Sequence, residues 1–258
     1  MKALFSQAGE LAIRRLMRRR VLLAFDFDGT LAPIVARPED AQIPAAIARR
    51  LADLVRRLPV AVVTGRSVTD VRQRLGFEAS YVVGNHGAEG LGWVAHGSGL
   101  SGLRQRLQAQ MAALGQAGVQ VEDKGLSLAL HYRLADDAEA AQRAIASCLA
   151  DLPPDLAMVG GKCVVNVVIR HAPDKGDATL ALLKASGCET LLFVGDDVND
   201  EAVFERAQRD WLTVRVGRPA GHSRAMYFLE THDQMESLLA LIEHTLAQDD
   251  DGRGMINA

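Results

Sequence analysis

A chain of 258 residues with 48% hydrophobic content, 24% charged content and a net charge of −3 can bury one large core or two modest ones. That balance excludes a disordered chain and gives no basic field for a polyanion. Three widely spaced cysteines, Cys148, Cys163 and Cys188, exclude a disulfide framework or a Cys-x-x-Cys metal site, and no apolar run approaches the ~20 residues of a membrane span.

Leu4, Ala8, Leu11 and Leu16 recur at helical spacing beside Arg14, Arg15, Arg18, Arg19 and Arg20. They predict a leading helix with a solvated basic face. Five apolar residues, Val21 to Phe25 in sequence, then end abruptly in Asp26-Phe27-Asp28-Gly29-Thr30-Leu31. This is the pattern of a parallel strand buried on both faces, and in open α/β sheets ligands bind beyond the carboxyl ends of such strands. Two acids so close at a strand end need a cation or a shared proton between them.

Pro33 and Pro38 punctuate a loop, and residues 43–58 then repeat apolar positions at helical spacing, which predicts an amphipathic crossover helix. The β-branched run 60–63 stops at Thr64-Gly65-Arg66-Ser67. A hydroxyl, a glycine and a guanidinium at a strand end suit a phosphate contact, or equally an ordinary helix N-cap. A third strand at 81–83 precedes Gly84-Asn85-His86-Gly87-Ala88-Glu89-Gly90. His86 has no second histidine at ligand spacing, so it is not assigned a metal.

From residue 92 the pattern changes to a helix over 100–114 and a hairpin from 119–122 and 126–133. A second αββ unit follows: a helix from Asp136, its candidate cap, to 149, then strands at 156–159 and 163–169 about a turn at Gly160-Gly161. Two tandem αββ units over 92–169 predict an inserted α+β (αββαββ) domain, with 1–91 and 170–258 forming the core. The core pattern resumes with Asp174-Lys175-Gly176-Asp177 and a helix to 185. A strand over 191–194 then ends in Gly195-Asp196-Asp197-Val198-Asn199-Asp200-Glu201. A strand over 212–216, a closing helix over 235–246 and a frayed polar tail from 248 complete the chain.

In order, Asp26-Phe27-Asp28-Gly29-Thr30, Val63-Thr64-Gly65-Arg66, Lys175-Gly176 and Gly195-Asp196-Asp197 with Asp200 resemble the four motifs of the haloacid dehalogenase superfamily. The resemblance implies a doubly wound, mostly parallel Rossmann-like α/β core and phosphotransfer through an aspartyl-phosphate. Asp26 is then the nucleophile, Asp28 the acid and base, and Thr64 and Lys175 grip the phosphate. Mg2+ is held by Asp26, the Asp28 carbonyl and Asp196, with Asp200 behind them; whether Asp197 or Asp200 completes the shell stays open. The residue chemistry agrees, because carboxylate and phosphate repel unless a cation intervenes.

Further strings, Gly84-Asn85-His86-Gly87-Ala88-Glu89, Val121-Glu122-Asp123-Lys124, Ala129-Leu130-His131-Tyr132-Arg133 and Gly161-Lys162-Cys163-Val164-Val165, are similar to the trehalose-6-phosphate phosphatases. This implies that the insertion is a cap over the sugar. Gly65, Arg66, His86, Glu122, Lys124 and Asn166 are the expected substrate contacts. Asn166 stands where that family usually has glutamate, and Asn199 where it usually has threonine. The expected partner is a small sugar phosphate, with no nucleic acid, no membrane, a cytoplasmic setting and a monomeric chain. A different sugar phosphate, such as sucrose phosphate or a glycosyl phosphoglycerate, is the alternative substrate. A phospho-accepting signalling domain is the alternative class, but it needs neither Asp28 nor a cap.

Overall fold

The computed structural model describes residues 1–92, 99–218 and 222–254. A seven-stranded sheet, every pair of it parallel, forms the centre. In chain order its elements begin with β1 (Lys2–Ala3), α1 (Gln7–Met17), β2 (Val21–Phe25), α2 (Ala45–Leu54), β3 (Val60–Val63), α3 (Val68–Arg72) and β4 (Tyr81–Val83). A second sheet is then built from α4 (Gly99–Gln116), β5 (Gln120–Asp123), β6 (Ser127–His131), α5 (Ala138–Cys148), β7 (Leu156–Gly161) and β8 (Val164–Ile169). The chain returns to the first sheet through α6 (Lys175–Ser186), β9 (Thr190–Gly195), α7 (Glu201–Glu205), β10 (Leu212–Val216), β11 (Tyr227–Leu229) and α8 (Gln234–Gly254).

The strand order is β1-β11-β10-β9-β2-β3-β4. Every residue of β2, β3, β9 and β10 is buried, because side chains alternate between two covered faces. Leu23, Phe25, Val62 and Val194 pack with Ile13, Leu51, Leu238 and Ile242 of α1, α2 and α8 on one face. Leu22, Ala24, Val63 and Phe193 pack with Ala178, Leu182 and Phe204 of α6 and α7 on the other. From β2 the chain winds outward through β3 and β4, and the later strands wind outward the other way from β9. The β2–β9 boundary is therefore the topological switch point, and the crevice opens at its carboxyl end.

The smaller sheet is antiparallel, ordered β5-β6-β8-β7, and has its own core of Leu103, Leu107, Leu128, Leu130, Ile145 and Val167 under α4 and α5. Alternation then leaves Glu122, Ala129, His131, Val164 and Asn166 on the opposite face.

Several local readings change. The hairpin turn falls at Lys162-Cys163, with Cys163 at φ 61, because Gly160 and Gly161 continue the ladder opposite Val165 and Val164. The cap of α5 is Asp137, whose side chain accepts from the Ala140 amide, so Asp136 lies outside the helix. In α1 the buried residues are Gly9, Ile13, Leu16 and Met17, whereas Leu11 is 45% exposed and Leu4 packs before the helix begins. The arginines there stay at the surface, with Arg19 paired to Asp210 and Arg20 to Glu189. α8 runs on to Gly254, through part of the expected tail; the last four tail positions lie outside the described residues. Among those described, no helix is long and apolar enough to cross a membrane.

Candidate active site

The site is assembled at the switch point from strand ends. Asp26 follows β2 directly, and its amide donates to the Val194 carbonyl of β9 at 2.9 Å, so its position is fixed by the sheet. Lys175 opens α6 behind Asp174, whose capping box with Asp177 sets where the helix starts. The Lys175 ammonium, buried, donates to Asp26 Oδ1 at 2.6 Å and to Asp200 Oδ1 at 2.8 Å. Asp200 is wholly buried and accepts the Asp196 and Asp197 amides at 2.9 Å each, which folds the loop after β9 into a tight turn. Gly29, at φ +84, lies so close to Asp196 that any side chain there would run into the carboxylate.

Asp26, Asp196 and Asp200 each offer an oxygen within 4.8 Å of the others, and all three are buried. The electrostatics follow from that crowding. Burial, opposed by Lys175 and reinforced by Asp200 and Asp196, holds Asp26 well above the usual carboxylate range. Burial likewise pushes Asp196 up to about 6, although the Lys162 ammonium bonds its Oδ2. Burial works against the charge on Lys175, but Asp200 and Asp26 outweigh it and raise its affinity for the proton. Asp196 Oδ1 is buried without a partner. Hard carboxylate oxygens, a surplus of negative charge and an unused buried acceptor are what a divalent cation such as magnesium requires, so the residues fit one.

Across the crevice stands the small sheet. The Lys124 side chain, 9% exposed, packs against the core, donating to the Gly65 carbonyl at 3.2 Å, and lies 3.7 Å from Glu122. Burial disfavours the Glu122 charge, but a 2.9 Å hydrogen bond with His131 and the nearby Lys124 outweigh it and lower its pKa. Asn85 seals the seam between the sheets: it accepts from Ser127 Oγ at 2.6 Å and donates to Glu89 at 2.7 Å and to the Lys124 carbonyl at 3.2 Å. His86, at φ 58, is half-buried, with both ring nitrogens enclosed and neither hydrogen-bonded; burial and the charges of Lys124 and Lys175 depress it to about 3, so it is neutral. Asn166 is buried on β8, its amide 3.5 Å from the Val159 carbonyl.

One open cleft of about 830 Å³, mouth included, collects these groups: Asp26, Asp28, Gly65, Arg66, His86, Glu122, Lys124, Asn166, Lys175, Asp196 and Asp197 all line it. Two expected residues differ in placement. Thr64 is completely buried and is not on the wall; its Oγ1 accepts the Arg66 amide at 3.1 Å. Arg66, expected to meet substrate, spends four of its five N–H donors inside the protein, two on Asp28 and one each on Asp70 and the Pro38 carbonyl. Asp200 lies behind the wall, and the Asp197 side chain instead caps the Val198 amide. Lys162, His131 and Arg133 also line the cleft without having been singled out. For His131 and Arg133 the alternation of β6 was a usable signal; for Lys162, in a hairpin turn, the only signal was its place in the string 161–165 that carries the family resemblance.

The parallel core, the acid cluster at its switch point and the antiparallel sheet across from it make up a fold of the haloacid-dehalogenase type. Residues 24–231 match the trehalose-phosphatase family, and the chain belongs to that family and is a phosphatase hydrolase. It is 33% identical over 232 residues to a probable trehalose-phosphate phosphatase of Sinorhizobium fredii, covering 85% of this chain and 86% of the relative. It is 30% identical over 234 residues to the trehalose-6-phosphate phosphatase of Escherichia coli, covering 87% of each. The C-terminal domain of the Candida albicans trehalose-6-phosphate phosphatase shares the fold, with a TM-score of 0.76 at 21% identity over 91% of this chain and 96% of that one.

Proposed function

We propose that this chain hydrolyses trehalose 6-phosphate to trehalose and phosphate through a phosphorylated Asp26, in trehalose biosynthesis, with residues 92–169 as the cap that admits the sugar. The observation that carries the reading is the convergence of two chemistries on one cleft, a carboxylate and ammonium cluster on the core side and the Glu122, Lys124, His131 and Asn166 face on the other. The first suits phosphoryl transfer and the second suits the hydroxyls of a disaccharide.

In this reading an Asp26 oxygen attacks phosphorus, the bond from phosphorus to the sugar oxygen breaks, and the Asp28 carboxyl gives its proton to that oxygen. Water then loses a proton to the Asp28 carboxylate as its oxygen attacks phosphorus, which frees phosphate and the Asp26 carboxylate. Lys175 steadies Asp26 and the transferred group, the loop over Thr64 supplies the Gly65 backbone amide, and Asp200 holds the loop that carries Asp196. Asp26, Asp196 and the Asp28 carbonyl, backed by Asp200, would hold Mg2+, which when bound supplies charge neutralisation between carboxylate and phosphate. Glu122, Lys124, Asn166 and the neutral His86 bracket the sugar. The substrate is a small molecule met by a monomeric, cytoplasmic enzyme without nucleic acid or membrane.

The test is phosphate release from trehalose 6-phosphate in Mg2+ by wild type and by Asp26→Asn, whose amide is a poor nucleophile of nearly unchanged shape. Turnover by wild type alone is expected, and turnover at the wild-type rate by Asp26→Asn would overturn the reading.

A further inference from the structure

Asp26 is fixed by the sheet, but Asp28 stands on the loop beyond it, with its side chain 41% exposed. An aspartate on such a loop has three staggered χ1 wells open to it. One contact selects among them. Arg66 Nε donates to Asp28 Oδ2 at 2.8 Å and Nη2 to Oδ1 at 2.7 Å, a two-pronged fork that fixes both the rotamer and the plane of the carboxylate. Arg66 is itself unusually rigid for an arginine. It is 5% exposed, its guanidinium lies 5.2 Å from the Phe27 ring centroid, and its remaining contacts are the Pro38 carbonyl at 2.7 Å and Asp70 at 2.8 Å. Asp70 in turn is gripped twice by Arg74, at 2.9 and 2.7 Å, and Arg74 reaches the Ala41 carbonyl at 3.4 Å. An alternating chain, Asp28-Arg66-Asp70-Arg74, thus runs from the cleft wall to the loop around residues 38–41.

We propose that Arg66, braced by Asp70, is the positioning residue for Asp28: it aims the carboxyl that hands a proton to the departing sugar oxygen and takes one from the attacking water. This rests on the acid and base reading of Asp28. Arg66 cannot exchange the proton itself, since a guanidinium stays protonated. Its fork uses one lone pair on each Asp28 oxygen and leaves the others for substrate and water. A lysine would keep the charge but lose the planar grip.

The test compares Arg66→Gln, Arg66→Lys, Asp70→Asn, Asp28→Asn and the Arg66→Gln/Asp28→Asn double variant, each checked by circular dichroism and thermal melting. On trehalose 6-phosphate, Arg66→Gln is expected to lower kcat by about 10- to 100-fold, the scale of a misplaced catalytic group, while KM stays within about threefold. Arg66→Lys should recover little of the loss, and Asp70→Asn, which leaves Arg66 in place but unbraced, should show a smaller kcat loss of the same kind. On p-nitrophenyl phosphate, whose leaving group needs no proton, stopped flow should show a burst of p-nitrophenolate larger than that of wild type, because Asp26 still becomes phosphorylated while hydrolysis of the acyl phosphate is slowed. A purely structural role gives no such burst. The double variant should be no slower than Asp28→Asn alone. Losses that multiply in the double variant, a raised KM with unchanged kcat, or full rescue by lysine would overturn the proposal while leaving the Asp28 reading intact. If Arg66→Gln does not fold, the Asp70→Asn burst decides. Wild-type turnover by Asp28→Asn would remove the acid and base reading and this proposal with it.

Discussion

Lys175→Met removes the ammonium that lies between Asp26 and Asp200 while keeping a flexible side chain of similar length. The wild-type ammonium is 2.6 Å from one carboxylate and 2.8 Å from the other, in a site where the lysine is 3% exposed. Breaking a buried pair by removing one partner costs about 3–5 kcal/mol. At roughly 2–4 °C per kcal/mol for a chain of this size, the melting temperature should fall by about 10 °C at pH 8 without added metal. The deficit should depend on pH in one direction. Asp196 already has its folded-state pKa raised from 3.8 to about 6. The stability it contributes is therefore present below about pH 4 and lost as pH rises through 6, a swing on the order of 3 kcal/mol. Asp26, raised by the same burial, acts with the same sign. Lys175 holds Asp26 down against that rise, so without it Asp26 protonates more readily still and the deficit against wild type should shrink from pH 8 to pH 5. Differential scanning calorimetry at the two pH values measures it, with Lys175→Arg as the control that keeps charge but not shape. A deficit under about 2 °C at pH 8, or one equal at both pH values, would show that Lys175 does not compensate the acid cluster.

Three further outcomes are expected. Added Mg2+ should raise the wild-type melting temperature, and Asp196→Asn should lose most of that shift, read by differential scanning fluorimetry across a metal titration; an unchanged shift would remove Asp196 from the metal site. Glu122→Ala and Lys124→Ala should each reduce kcat/KM for trehalose 6-phosphate at least about tenfold more than for p-nitrophenyl phosphate, the scale of a lost charged hydrogen bond; equal losses on both substrates would place these residues in the chemistry or the fold. Asn166→Glu, restoring a charged acceptor on β8, should lower KM for trehalose 6-phosphate by about fivefold, the worth of on the order of 1 kcal/mol; an unchanged or raised KM, with another sugar phosphate as the best wild-type substrate, would transfer the cleft to that substrate.

The chain's apolar runs made the core readable. The stretches that became β2, β3, β9 and β10 are buried on both faces, so they stood out as unbroken hydrophobic segments, and the site acids stood out because each lies on the loop just past the end of one. Glu122 and Lys124 were legible only through the family resemblance of Val121-Glu122-Asp123-Lys124, because nothing local told which way that face looked. β1 and β11 were not legible: two and three residues long, they are strands only because they pair with each other and with β10. The β7–β8 turn was misplaced because two glycines normally mark a bend, whereas here Gly161 continues the strand and passes close to Asp197, where a larger residue would crowd it.

What the sequence withheld most completely is the electrostatic wiring between distant segments, and that wiring is where the function of individual charges is decided. Lys162 and Asp196 meet across 34 positions, and Arg66 and Asp28 across 38. Each of the four has an ordinary surface alternative that residue type alone favours. The fold reverses that preference by burying one member of each pair, since Asp196 at 2% and Arg66 at 5% exposure are costly without a partner. Once the partner is known, the residue's role changes with it. Arg66 read alone is a phosphate ligand, but with four donors committed it has one left for any ligand. The same count applied to Lys175 gives the opposite result: two acids hold it in place and one N–H is still free to turn toward a phosphate oxygen.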